Sequence, residues 1–202
     1  SDFAMVYFNS DGNQSTMCGN GGRCIVSFAK RLGIIQNQTT FSAVDGLHFA
    51  TNEDDIVSLQ MKDVDQVHIK DGYSFLDTGS PHHVELVENL TKYDVVENGS
   101  AIRNSELYGR TGSNVNYVEK ISESEFDLRT YERGVEDETF ACGTGATAAA
   151  IAMYESGKSN SSTIILNVKG GELKVSFVKK NDIYTEVFLT GPAAFVFKGE
   201  IE

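Results

Sequence analysis

The sequence predicts a mixed α/β (α+β) fold of two pseudo-symmetric, duplicated mixed-sheet domains, each with a central helix. Three observations predict it. A Cys-Gly-x-Gly motif occurs twice, each copy runs into an apolar stretch of helical character, and strand-like alternation dominates the remainder.

The first copy reads Met17-Cys18-Gly19-Asn20-Gly21-Gly22-Arg23-Cys24 and the second Ala141-Cys142-Gly143-Thr144-Gly145-Ala146-Thr147-Ala148. Residues 25–32 and 149–156 continue them as helices, and Gly33 and Gly157 stand where a helix C-cap needs a glycine. The spacing from Cys18 to Cys142 is 124 residues, and Gly33 to Gly157, Gly46 to Gly170 and Tyr7 to Tyr131 repeat it. Four matches in one register indicate an internal duplication. Strand patterns fall at 56–61, 83–87, 114–118, 173–178, 186–189 and 194–197, with a turn at Gly79-Ser80-Pro81-His82 and few further helices.

The repeat divides the chain into an N-terminal domain of 1–63 plus 191–202 and a C-terminal domain of 64–190. Roughly 75 residues of the second unit precede Cys142, whereas 17 precede Cys18. About 60 further residues are therefore expected at the N-terminal side of the first unit.

Composition narrows the function. A hydrophobic share of 40% and a charged share of 23% describe a globular chain, and a net charge of −12 disfavours nucleic acid and anionic membranes as partners. No apolar run is long enough to span a bilayer and no signal-peptide pattern opens the chain, which points to the cytoplasm. Three cysteines make neither a disulfide scaffold nor a zinc site: there is no CxxC pair, and His82-His83 has no clustered Cys partners. No metal and no cofactor is called for.

A Cys before Gly is ordinarily a small buried hydrophobe, but two at matched positions of a duplicated motif favour chemistry. At a helix start the free N–H groups and the positive dipole end favour thiolate, and the glycines admit a bound carboxylate. Two such starts facing one another can flank a single carbon. One sulfur removes an α-proton and the other returns one from the opposite face, which inverts the stereocentre. The helix N-termini stabilise the charge that develops. Oxidants should then inactivate reversibly by joining Cys18 to Cys142. Cys24 has no sulfur counterpart, since Ala148 stands at its place, and is assigned a structural role.

These motifs resemble those of diaminopimelate epimerase over nearly the whole chain. Residues 7–12 with the first Cys motif look like the family's first signature, 79–82 its turn, 114–118 its Asn-Val strand, and Tyr131-Glu132-Arg133-Gly134 through Ala146 its second signature. The resemblance implies a cofactor-independent epimerase of LL- and meso-diaminopimelate, a step toward lysine and cell-wall precursors, with Cys18 and Cys142 as the acid/base pair. It implies substrate contacts from Asn9, Gly19, Asn20, Ser80, His82, Asn114, Glu132, Arg133, Gly143 and Thr144, and homodimerisation. Ser80 departs from the Asn of many relatives, and the run Glu136-Asp137-Glu138 is one residue longer and expected to be a solvated loop. The alternatives are a proline or hydroxyproline racemase, disfavoured by the Glu-Arg-Gly segment and the C-G-N-G motif, and a non-catalytic thiol or anion-binding module. A cysteine hydrolase leaves the second matched Cys unexplained.

Overall fold

The computed structural model describes residues 1–8, 12, 14 and 17–200. It consists of α1 (Gly19–Arg31), a three-stranded run β1 (Gln38–Ala43), β2 (Gly46–Glu53) and β3 (Ile56–Gln60), then β4 (Val67–Ile69), β5 (Ser74–Asp77) and β6 (Pro81–Leu86). A short 3-10 turn and α2 (Val95–Arg103) lead to β7 (Asn114–Lys120), β8 (Glu125–Glu132) and β9 (Asp137–Thr139). The chain continues through α3 (Gly143–Glu155), β10 (Thr163–Val168), β11 (Gly171–Lys180) and β12 (Ile183–Pro192).

Both motif helices start and stop alike. Cys18 and Cys142 are extended N-cap residues, with φ of −105° and −120°. Gly33 and Gly157 adopt left-handed φ of +73° and +69°. The Ile34 N–H then reaches back to the Ala29 carbonyl, and that of Lys158 to Met153, which satisfies carbonyls that a helix end leaves free. The helices differ in their faces. α1 buries Gly22, Val26 and Ala29 and exposes Phe28, as an amphipathic helix should. In α3 every residue from Gly143 to Met153 is buried, and its alanines let strands approach on all sides.

The strands form one mixed sheet in the order β1-β2-β3-β12-β11-β10-β8-β7-β6-β5-β4, with β9 beside β8. Among the described pairs of named strands only β6–β7 and β8–β10 are parallel. From β4 round to β12 the sheet curls about α3, and Val64 pairs with Tyr184 across the gap. α1 lies on β2, β3 and β12. β12 therefore runs beneath both helices and delivers Leu189 to the point where their N-termini meet.

Four sequence expectations are corrected. The partner of Gly46 is Gly171 rather than Gly170: they carry φ of +129° and +127°, and they close hairpins opposite Ala43 and Val168. One extra residue between helix and hairpin in the second unit shifts the register. Residues 194–197 are not a strand, because β3 begins at Ile56, opposite Pro192, and offers no edge further on. Phe195 instead lies under the Arg31 guanidinium, 3.3 Å from its ring centroid. The run Glu136-Asp137-Glu138 is a solvated loop only in part: Glu136 is an exposed turn residue and Asp137 is exposed, but Asp137 and Glu138 belong to β9. Glu138 is almost fully buried between Arg129 (2.7 Å) and Lys169 (2.6 Å) on β9, and Glu136 binds Arg103 at 3.0 Å. Cys24, given a structural role, is exposed on α1 and fills no core position.

Candidate active site

The N-termini of α1 and α3 abut, and the contact depends on glycine at both positions. A Cβ on Gly19 would lie 2.9 Å from Leu189 Cδ2 and 3.1 Å from Gly143 Cα. One on Gly143 would lie 2.8 Å from Leu189 Cδ2 and 3.0 Å from Gly19 Cα. Any side chain would push the helix starts apart. Cys18 and Cys142, the residues just before these glycines, consequently line one cavity of about 360 Å³. That volume falls within the range of small-molecule sites.

The two sulfurs sit in unequal surroundings. Cys18 is half-buried, and its Sγ accepts the Gly21 N–H at 3.4 Å, so the first turn of α1 is turned toward it. Cys142 is buried, with its Sγ 3.5 Å from the Thr144 hydroxyl. Burial, and then the neighbouring Glu132 carboxylate, push the Cys142 thiol up to about 12. Burial likewise pushes Glu132 up. Cys142 is thus a proton-bearing thiol at neutral pH, even though the Gly145 amide faces its sulfur as the Gly21 amide faces Cys18.

Of the residues singled out from the sequence, Gly19, Asn20, Ser80, Asn114, Glu132, Arg133, Gly143 and Thr144 join the two cysteines in lining this cavity. Asn20 donates to the Ala141 carbonyl at 2.7 Å. Asn114 donates to Pro81 O at 3.1 Å and accepts the Arg133 N–H at 2.9 Å, which anchors the Glu-Arg-Gly segment to β7. The Arg133 guanidinium donates to Thr111 O at 3.0 Å. Thr78, in the β5–β6 turn beside Ser80, donates to Thr144 O at 2.9 Å and so ties that turn to the start of α3. Asn9 lies outside the described residues.

His82 does not line the cavity. It is fully buried on β6, hydrogen-bonded through Nδ1 to Asn116 at 3.1 Å, and its Nε2 has no partner among the described residues. Burial first, and the Arg133 charge second, hold its pKa down to about 3, so the ring is neutral. Unfolded, it titrates near 6.5. Between those values the unfolded chain binds a proton that the native chain refuses, so stability declines as pH falls from about 6.5 toward 3. The His82 contribution should approach a slope of about 1.4 kcal/mol per pH unit. Urea melts of His82→Gln from pH 4 to 6.5 should show a flatter slope than the parent. An unchanged slope would move the acid sensitivity to another group.

Sequence reasoning missed Tyr7, Met17, Arg103, Thr111, Gly134 and Ala141, which also line the cavity. Tyr7 was visible as an offset-matched tyrosine, and the Cys18 charge, then burial, push its phenol up. Arg103 and Thr111 carry no motif. Arg103 reaches the cavity at the end of α2, which packs on β7 and β8, and Thr111 in the connection from α2 to β7, with no local signal for either.

This arrangement offers two sulfurs, two helix N-termini, two guanidiniums and a carboxylate around one small volume. It can hold a zwitterion and exchange a proton with it. Among the described residues no helix is long and apolar enough to cross a membrane.

Comparison with known proteins gives a consistent family. The model of the diaminopimelate epimerase family matches residues 74–196. A diaminopimelate epimerase of Flavobacterium psychrophilum is 63% identical over 99% of this chain and 78% of its own length. One of Chlorobaculum tepidum is 41% identical over 99% of this chain and 80% of its own. Among solved structures, a hydroxyproline epimerase from Agrobacterium vitis superposes with a TM-score of 0.71 at 15% identity, covering 94% of this chain and 67% of that one. At that identity the likeness is one of fold.

Proposed function

The chain belongs to the diaminopimelate epimerase family, and from that membership we propose that it interconverts LL- and meso-diaminopimelate by two-base proton transfer at the α-carbon. The observation that carries the reading is the meeting of two Cys-bearing helix starts at one polar cavity. Cys18 takes the α-proton on one face while the Cys142 thiol delivers one on the other, and the roles exchange for the reverse direction. Amide N–H groups at the two helix starts receive the α-carboxylate, where negative charge grows as the proton leaves. Arg133 offers a fork to the distal carboxylate, and Glu132 accepts from an ammonium. Asn20, Ser80, Asn114 and Thr144 complete the polar lining.

The same reading makes this a cytoplasmic enzyme of lysine and peptidoglycan precursor supply, working as a homodimer on a small molecule, with neither nucleic acid nor membrane as partner. Its two lobes are 1–63 plus 191–202 and 64–190. Support for that division comes from α1 resting on β2 and β3 while α3 contacts the strands from β4 onward.

The test is α-deuterium uptake in D2O with LL-diaminopimelate and, separately, L-proline. Uptake with inversion should occur for the first substrate and be absent for the second. Turnover of proline alone would replace this reading with a proline racemase, and binding of diaminopimelate with no uptake would leave a binding module.

A further inference from the structure

Arg23 is a buried guanidinium one turn into α1, and no carboxylate pairs with it among the described residues. Arginine keeps its charge when buried, and an unpaired buried charge is costly; Nε has no partner among the described residues, so the two bonds the group does make carry its satisfaction. Nη1 donates to Gly19 O at 3.3 Å and Nη2 to Asn20 Oδ1 at 3.0 Å. Room for the group comes from β12, where a Cβ on Gly191 would lie 3.4 Å from Arg23 Nε.

The internal repeat separates the ordinary bond from the unusual one. Thr147 stands 124 residues after Arg23, and its hydroxyl donates to Gly143 O at 3.0 Å, the counterpart of the bond to Gly19 O. Bracing the first turn is therefore common to both helices. The second bond has no counterpart in α3, where Thr144 takes the place of Asn20.

That second bond has a directional consequence. A carboxamide can be turned two ways, but a guanidinium has donors only, so it accepts just the orientation that presents Oδ1. Nδ2 must then point away from Arg23, toward Ala141 O, which it meets at 2.7 Å across 121 residues of sequence. Ala141 immediately precedes Cys142, and Asn20 lies two residues after Cys18. We infer that Arg23 is a positioning residue that keeps the two cysteines in register by locking Asn20 onto Ala141 O. The inference rests on the epimerase reading for its effect on turnover, but not for its effect on the sulfurs.

The test uses the full chain in a Cys24→Ser background, so that only Cys18 and Cys142 can pair. Diamide removes two hydrogens from two thiols and takes them up itself, so its rate of disulfide closure reports how well the sulfurs face each other. Asn20→Ala and Arg23→Gln should each slow closure about tenfold and lower kcat about 10- to 100-fold, with KM changed less than about threefold. The double variant should be no worse than the worse single, because both changes cut one chain of bonds. Arg23→Lys, which keeps the charge but loses the fork, should behave like Arg23→Gln and carries the test if the latter does not fold. Parental closure and kcat in Arg23→Lys would overturn the inference, as would multiplicative losses in the double variant or a parent that keeps both thiols under diamide. A parent that closes as expected but does not epimerise would sink the functional reading alone.

Discussion

Cys18→Ala and Cys142→Ala are each expected to lower epimerisation by about three orders of magnitude while leaving the fold intact, since positioned acid/base groups contribute about 10²- to 10⁴-fold. Neither change threatens the core severely. Cys18 is half-buried, and Cys142 is a small side chain at the cavity wall. The loss should be asymmetric in a way that assigns the faces. With Cys142 gone, Cys18 still removes the proton from the isomer that presents it, and solvent deuterium enters without inversion. With Cys18 gone, the same happens for the other isomer only. Circular dichroism checks the fold, and mass spectrometry of recovered substrate with chiral separation checks the rest. Inversion at the parental rate in either variant would remove the two-sulfur mechanism.

Gly143→Ala should be nearly as damaging to turnover although it touches no ionisable group. The new methyl meets Leu189 Cδ2 at 2.8 Å and, less avoidably, the Gly19 backbone at 3.0 Å. Leu189 can rotate, but the backbone of a neighbouring helix start cannot, so the two N-termini must separate. A displacement of this kind costs about 10²-fold in rate, and overpacking costs about 1–3 kcal/mol in stability. The Gly157→Ala variant distinguishes the two effects. It strains a left-handed position (φ +69°) at the far end of α3 and should lose about 1 kcal/mol or more while keeping kcat. If Gly143→Ala kept kcat at a comparable drop in Tm, the close approach of the helices would be irrelevant to catalysis.

Both expectations start from motif residues that were legible in the repeat, but their weight comes from the contact of Gly19 with Gly143, 124 residues apart. The same contrast runs through the site. The Cys motifs, the Glu132-Arg133 pair and Asn114 stand out in the sequence because each belongs to a recognisable short segment. Arg103 and Thr111 belong to none, and enter the cavity from the end of α2, which packs on β7 and β8, and from the connection that follows it. Asn20 was legible as a site residue, yet its bond to Ala141 O was not.

By itself the sequence determined the duplication, from its 124-residue offset, and what depends on neighbours four or five residues away: two matched helices, their Cys N-caps and Gly C-caps, and the chemistry of the motif. Helix starts and stops close hydrogen bonds within a single turn, so local residue types decide them. Tertiary structure alone decided strand order, the one-residue shift from Gly170 to Gly171, the fate of 194–197, the burial of Glu138 and the inequality of the two sulfurs. Each of these depends on which distant surface removes water or supplies an edge. Such a partner has no trace in the residues beside the one it affects.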